Sequence, residues 1–157
     1  MSYIMVLCYI IYDIKPGKIK QVLYIKYNGM EREMDEYHKK ALKEAGINID
    51  ALYKRFMGND VLMGNYLMKF ARNGNFRKLQ EEISEDNVEE AFIEAHKFKG
   101  LCAELYIETL EGIICELSCH LKYGDIEPVR GIMSEAACKY EALSETIKAV
   151  YGQYNVK

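Results

Sequence analysis

Between residues 88 and 150, apolar side chains recur in alternating steps of three and four, and no other feature constrains the fold as strongly. The first run is Val88, Ala91, Ala95, Phe98, Cys102 and Leu105. The second is Ile107, Leu110, Ile114, Leu117 and Leu121, and the third is Val129, Met133, Ala136, Tyr140, Leu143, Ile147 and Val150. Strands bury every second residue, so this spacing predicts three helices, each with one apolar stripe. The connections between them are short, which makes sequential helices antiparallel neighbours. Pro128 falls in the first turn after the cap candidate Asp125, where its missing N–H costs little.

The segment before these runs also reads as helix. From Met34 onward Glu, Lys, Ala, Leu and Met dominate, residues that favour helix. Asp35 to Ala45 is expected to stop at Gly46, and a short helix follows the N-cap candidate Asp50 and ends near Gly58. Another helix begins at Asp60, with Leu62 or Met63, Tyr66 or Leu67, and Phe70 on one face. Asn73-Gly74-Asn75 predicts a kink or break before Phe76, Leu79 and Ile83 resume the stripe. Asn87 and Glu90 have the spacing of a capping box at the head of the next helix. Met57, Met63, Met68 and Phe70 are expected in the core.

The first part of the chain differs in kind. Ser2–Tyr12 and Val22–Tyr27 are rich in Ile, Val and Tyr and are separated by Lys15-Pro16-Gly17-Lys18, which suggests a weak hairpin or a disordered leader. A chain of 157 residues, half of them hydrophobic, can bury one sizeable core and is short for two domains. The expected architecture is therefore all-α: an antiparallel up-down four-helix bundle with an additional N-terminal helix over residues 34–157. A non-helical or weakly structured leader would occupy residues 1–33.

Composition narrows the function. A net charge of -3 and a pI near 5.7 argue against nucleic acid as the main partner. The apolar stretch Tyr3–Ile14 is too short to span a bilayer, so no membrane partner and a cytoplasmic location are expected. Five cysteines form an odd set without a CxxC pair, which points to a reducing compartment and packed thiols. Cys115, Cys119 and His120 suggest metal ligation, but a site needs three or four converging donors and no second cluster accompanies them. None of the three histidines has Glu three residues before it, which argues against a di-iron bundle. His38, beside Lys39 and Lys40, reads as a surface residue.

His96 is different. It directly follows the stripe residue Ala95 and is rotated from it by roughly 100°, which places it at the edge of the buried face. Lys99 and Gly100, three and four residues on, share its side of the helix, and Ala103 extends that patch. A glycine inside a helix costs on the order of 1 kcal/mol relative to alanine, so Gly100 invites a spatial explanation: missing bulk beside an imidazole admits another protein's active site. An imidazole titrating near neutrality is a nucleophile without a dedicated base, and Lys99 can offset arriving phosphate charge.

Ala95-His96-Lys97-Phe98-Lys99-Gly100 resembles the His-x-Leu-Lys-Gly signature of histidine-containing phosphotransfer (HPt) domains, with Phe98 in place of leucine. The resemblance runs from about Gly46 to Leu143 and includes Leu52-Tyr53-Lys54-Arg55-Phe56, Gly58-Asn59-Asp60 and Leu121-Lys122-Tyr123-Gly124-Asp125. Two positions depart from the pattern. Leu101 stands where a small residue is common, and Tyr106 where a glycine commonly ends the motif.

The resemblance implies a phosphorelay carrier and not an enzyme with its own catalytic cycle, in keeping with the absence of a P-loop or a kinase-type glycine-rich loop. His96 would accept a phosphoryl group from a receiver aspartate or a hybrid sensor histidine kinase and pass it to a response-regulator receiver domain. No cofactor is expected on this chain; Mg²⁺ would belong to the partner receiver. Phe92, Lys97 and Ala103 are the docking candidates around His96, with Tyr66 and Phe70 as an extension, and the carrier is expected to be monomeric. Two alternatives compete: a degenerate HPt-like module that binds receivers or kinases without carrying phosphate, and an unrelated helical adaptor.

Overall fold

The structure, a computed structural model, describes residues 34–152. The leader expected over residues 1–33, with Cys8, lies outside the described residues. Within them the protein is all-helical: α1 (Glu36–Glu44), α2 (Ile49–Arg55), α3 (Asp60–Ala71), α4 (Gly74–Ser84), α5 (Val88–Glu104), α6 (Glu108–Lys122) and α7 (Ile126–Tyr151). An isolated antiparallel bridge, Ile47 to Ile107, is the one β-type pairing among the described residues.

Side-chain oxygens start four of these helices. Asp35, Asn48, Asn59 and Asn73 accept from backbone N–H groups in the first turns of α1 to α4, satisfying donors that have no partner within the helix. The cap of α2 is thus Asn48 and not Asp50, which lies inside the first turn. The interruption at 73–75 is a true break, because Asn73 is extended and caps a new helix. The capping box expected at Asn87 does not form. Its amide instead donates to Glu82 (2.8 Å) and Glu85 (3.1 Å), binding the turn to the end of α4.

The helix ends share one device. After α1 and α6, Gly46 (φ 99°) and Gly124 (φ 73°) turn the chain left-handed, and paired 6→1 and 5→2 hydrogen bonds close each end. After α2, α4 and α5 the same geometry is held by Met57 (φ 51°), Asp86 (φ 59°) and Tyr106 (φ 53°), residues with a Cβ. Tyr106 therefore adopts a backbone conformation that glycine takes more readily. Its carbonyl accepts from Asn48 N–H at 2.9 Å, fixing the α5–α6 turn against the α1–α2 turn.

The apolar stripes of α5, α6 and α7 are buried at nearly every expected position, with Val88 and Tyr140 half-buried at the margin. On α3 the core takes Met63, Leu67 and Phe70, leaving Leu62 and Tyr66 exposed. Packing links α4 to α5, α5 to α6, α6 to α7 and α7 back to α3. Two expectations fail on burial. Met57 is 92% exposed because it forms the outer corner of the α2 cap, and Cys115, Cys119 and Cys138 are exposed, leaving Cys102 as the packed thiol among the described cysteines. Burial pushes the Cys102 thiol up to about 12.

Helix α3 meets α7 at close range. A Cβ on Gly64 would lie 2.5 Å from the ring of Tyr151, whose hydroxyl donates to buried Asp60 at 2.8 Å. Tyr140 donates to the Phe70 carbonyl at 3.1 Å, joining the Asn73 N–H, which donates to the same oxygen at 3.1 Å at the end of α3.

Candidate functional site around His96

Helix α5 supplies the floor of the site. Phe98, fully buried two residues after His96, packs with Phe70 (5.6 Å between ring centroids), Phe76 (5.1 Å) and Tyr140 (5.9 Å). Four rings from α3, α4, α5 and α7 thus meet beneath the histidine helix, each pair adding a contribution beyond its buried area.

His96 itself is exposed, and no hydrogen bond or ion pair among the described residues engages its imidazole. On an ideal helix Phe92, Ile93, Lys99, Gly100 and Ala103 all lie within roughly 60° of it. Phe92 is half-buried against the core, Lys99 is half-buried and its ammonium forms no ion pair with the described residues, and Ala103 is exposed. Among the described residues a Cβ on Gly100 would meet nothing within 4 Å, so no crossing helix among them accounts for the glycine. The arrangement is an open surface with a free imidazole nucleophile, a nearby cation and a gap in the side-chain layer beside it.

Lys97, one of the docking candidates, is exposed and has a partner within the chain. It is turned away by about 100° from His96 and donates to Glu94 Oε1 at 2.9 Å, while Lys78 of α4 donates to the same oxygen at 2.8 Å. Glu94 is 2% exposed, and the Lys78 and Lys97 ammoniums hold its carboxyl below the usual glutamate range. This triad joins α4 to α5 just behind the histidine and leaves Lys99 as the nearer free charge. Ile93, 40% exposed and three residues before His96, is an addition that sequence reasoning missed. Its signal was an isoleucine off the apolar stripe on the histidine's own face.

Tyr66 and Phe70 divide. Phe70 is buried in the aromatic cluster and has no exposed surface to offer, whereas Tyr66 is exposed and packs beside Phe56 at 5.2 Å. Among the described residues no group of three or more His, Cys, Asp or Glu side chains could hold a metal ion, and no helix is long and apolar enough to cross a membrane. Comparison of the chain with protein-family models, with curated proteins and with solved structures returned no match.

Proposed function

We propose that the protein is a phosphorelay carrier of the histidine-phosphotransfer type, with His96 as the phosphoacceptor. The observation that carries this reading is that an exposed His96, a half-buried Lys99 and an exposed Gly100 share one face of α5, and among the described residues nothing engages the imidazole, pairs with the ammonium or covers the glycine. A histidine kept for stability would be packed or hydrogen-bonded, and a glycine kept for close packing would have a neighbour over it.

In this reading α3 and α4 form one broken column and, with α5, α6 and α7, complete an antiparallel up-down four-helix bundle. The closed sequence of contacts, α4 with α5, α5 with α6, α6 with α7 and α7 with α3, supports it. The bundle has no catalytic cycle of its own and presents its imidazole to a receiver domain that brings Mg²⁺ and the acidic pocket. A ring nitrogen attacks phosphorus, the N–P bond forms as the bond to the receiver's aspartyl oxygen breaks, and the carboxylate leaves. The ring is then cationic and the phosphoryl group dianionic, and the Lys99 ammonium offsets the excess negative charge. Transfer to a second receiver, or from a hybrid sensor kinase, runs over the same face in either direction. Phe92, Ile93 and Ala103 form the apolar contact around it, and neither nucleic acid nor membrane is a partner.

The test is phosphoryl transfer from a panel of phosphorylated receiver domains to the full chain, wild type and His96→Gln, followed by intact mass and acid lability. An acid-labile label lost in His96→Gln, with unchanged helicity, supports the carrier. Tight receiver binding without transfer replaces it with a degenerate docking module, and neither binding nor transfer to any receiver overturns the phosphorelay reading.

A further inference from the structure

Helix α6 turns its buried stripe, Leu110, Ile114, Leu117 and Leu121, toward α5 and α7. At roughly 100° per residue, Gly112, Cys115 and Cys119 fall on the opposite side, and all three are exposed. We infer that Cys115 and Cys119 form half of a thiolate site for a zinc-like divalent cation, completed by the same two residues of a second copy of this chain.

One chain cannot close such a site among its described residues. No third histidine, cysteine or carboxylate joins the pair, and His120, one residue beyond Cys119, is turned away and faces Asp125 at 3.4 Å. Zinc sites without an open position take four donors, about 2.3 Å from the metal in the case of thiolates. Side chains one turn apart on a helix have Cβ atoms about 5–6 Å apart, the same i, i+4 spacing by which paired histidines grip zinc. Two thiolates leaning together from each of two helices supply the tetrahedron, with four protons released for each cation bound.

The occupant follows from geometry and charge. About a two-fold axis perpendicular to the helices, α6 pairs with α6 antiparallel and self-complementary, and centring that axis between the two cysteines sets Cys115 opposite Cys119 of the second copy. Gly112, where a Cβ would meet no neighbouring element among the described residues within 4 Å, lets the helices approach. The first turn of α6 carries Glu108 and Glu111 and the last carries Lys122, so antiparallel pairing brings each acidic end to the other's basic end. The face lies on a different helix from His96, so the site stands or falls independently of the phosphorelay reading.

The test is titration of the reduced full chain with Co²⁺ and then Zn²⁺, read by thiolate-to-cobalt charge-transfer absorption and by sedimentation. One metal per two chains is expected, with a tetrahedral tetrathiolate spectrum and conversion of monomer to dimer. Cys115→Ser/Cys119→Ser should weaken metal affinity at least 100-fold and abolish the dimer, while Cys8→Ser/Cys138→Ser should change neither. Gly112→Leu, on an open surface that tolerates the added bulk, should weaken the metal-dependent dimer at least tenfold with helicity unchanged. Unaltered stoichiometry and affinity in the Cys115→Ser/Cys119→Ser variant, or one metal per monomer in the wild type, would overturn the proposal.

Discussion

Replacing Glu94 by glutamine keeps the shape of the side chain and removes its charge, and the structure allows the cost to be worked out. Oε1 of Glu94 accepts from Lys78 at 2.8 Å and Lys97 at 2.9 Å while only 2% of the residue is exposed. Charge-assisted hydrogen bonds contribute about 1.5–3 kcal/mol and neutral ones about 0.5–1.5 kcal/mol, so two such bonds lose about 1 kcal/mol each. The glutamine also buries an NH₂ group that the carboxylate did not have, while both lysines, half-exposed, regain water. The expected loss is about 2–3 kcal/mol at pH 7, read as a lower denaturant midpoint with an unchanged slope in urea unfolding.

The same substitution has a pH signature. The folded carboxyl titrates below the ordinary glutamate value of 4.5, chiefly through its hydrogen bond to Lys78 and then through that to Lys97. A depressed folded pKa stabilises the protein above the unfolded value, and that stabilisation disappears as pH falls through the folded value. Wild type and Glu94→Gln should therefore differ most near neutrality and converge in acid. A difference under 0.5 kcal/mol at pH 7, or one that does not shrink toward pH 3, refutes the assignment of the triad as a stabilising link between α4 and α5.

Three further substitutions probe separate claims. Met57→Gly removes a left-handed residue with a Cβ from a 92% exposed corner and should raise stability by about 0.5–1 kcal/mol in chemical unfolding. Gly64→Ala places a methyl 2.5 Å from the Tyr151 ring, which its hydrogen bond to Asp60 restrains, and should lower stability by about 1–3 kcal/mol with a shift in tyrosine fluorescence. Gly100→Ala should stabilise the helix by about 0.5–1 kcal/mol, because its Cβ meets open space, yet slow phosphoryl transfer from receivers, a pairing of effects that thermal melts and transfer rates read together.

Much of the helical structure and its buried face was legible because its information is periodic. Positions spaced by three and four from Val88 to Val150 share one environment per helix, and burial follows that spacing in α5, α6 and α7. What misled were residues whose surroundings are set by the ends of helices or by long-range partners. Asn87 has the residue type and spacing of a capping box, but the carboxylates of Glu82 and Glu85 compete for its amide. Met57 is apolar and sits between helices, but the left-handed cap after α2 points it into solvent. Glu94 is charged but buried, and only the three-dimensional position of Lys78 shows that it gathers that lysine together with Lys97.

Tyr106 joins the two levels. From the sequence it is a departure, a bulky residue where the motif commonly ends in glycine. In the fold it holds φ 53° and both hydrogen bonds of a glycine-type cap, so the helix that carries His96 is closed after Leu105. A left-handed residue with a Cβ persists only where its surroundings fix it. Here the Asn48 N–H bonds to its carbonyl, and the half-buried ring packs against the core. The strain at Tyr106 is therefore balanced by contacts to the α1–α2 turn. A change in that turn, remote in sequence from His96, would act on α5 through the cap of the helix that carries the imidazole.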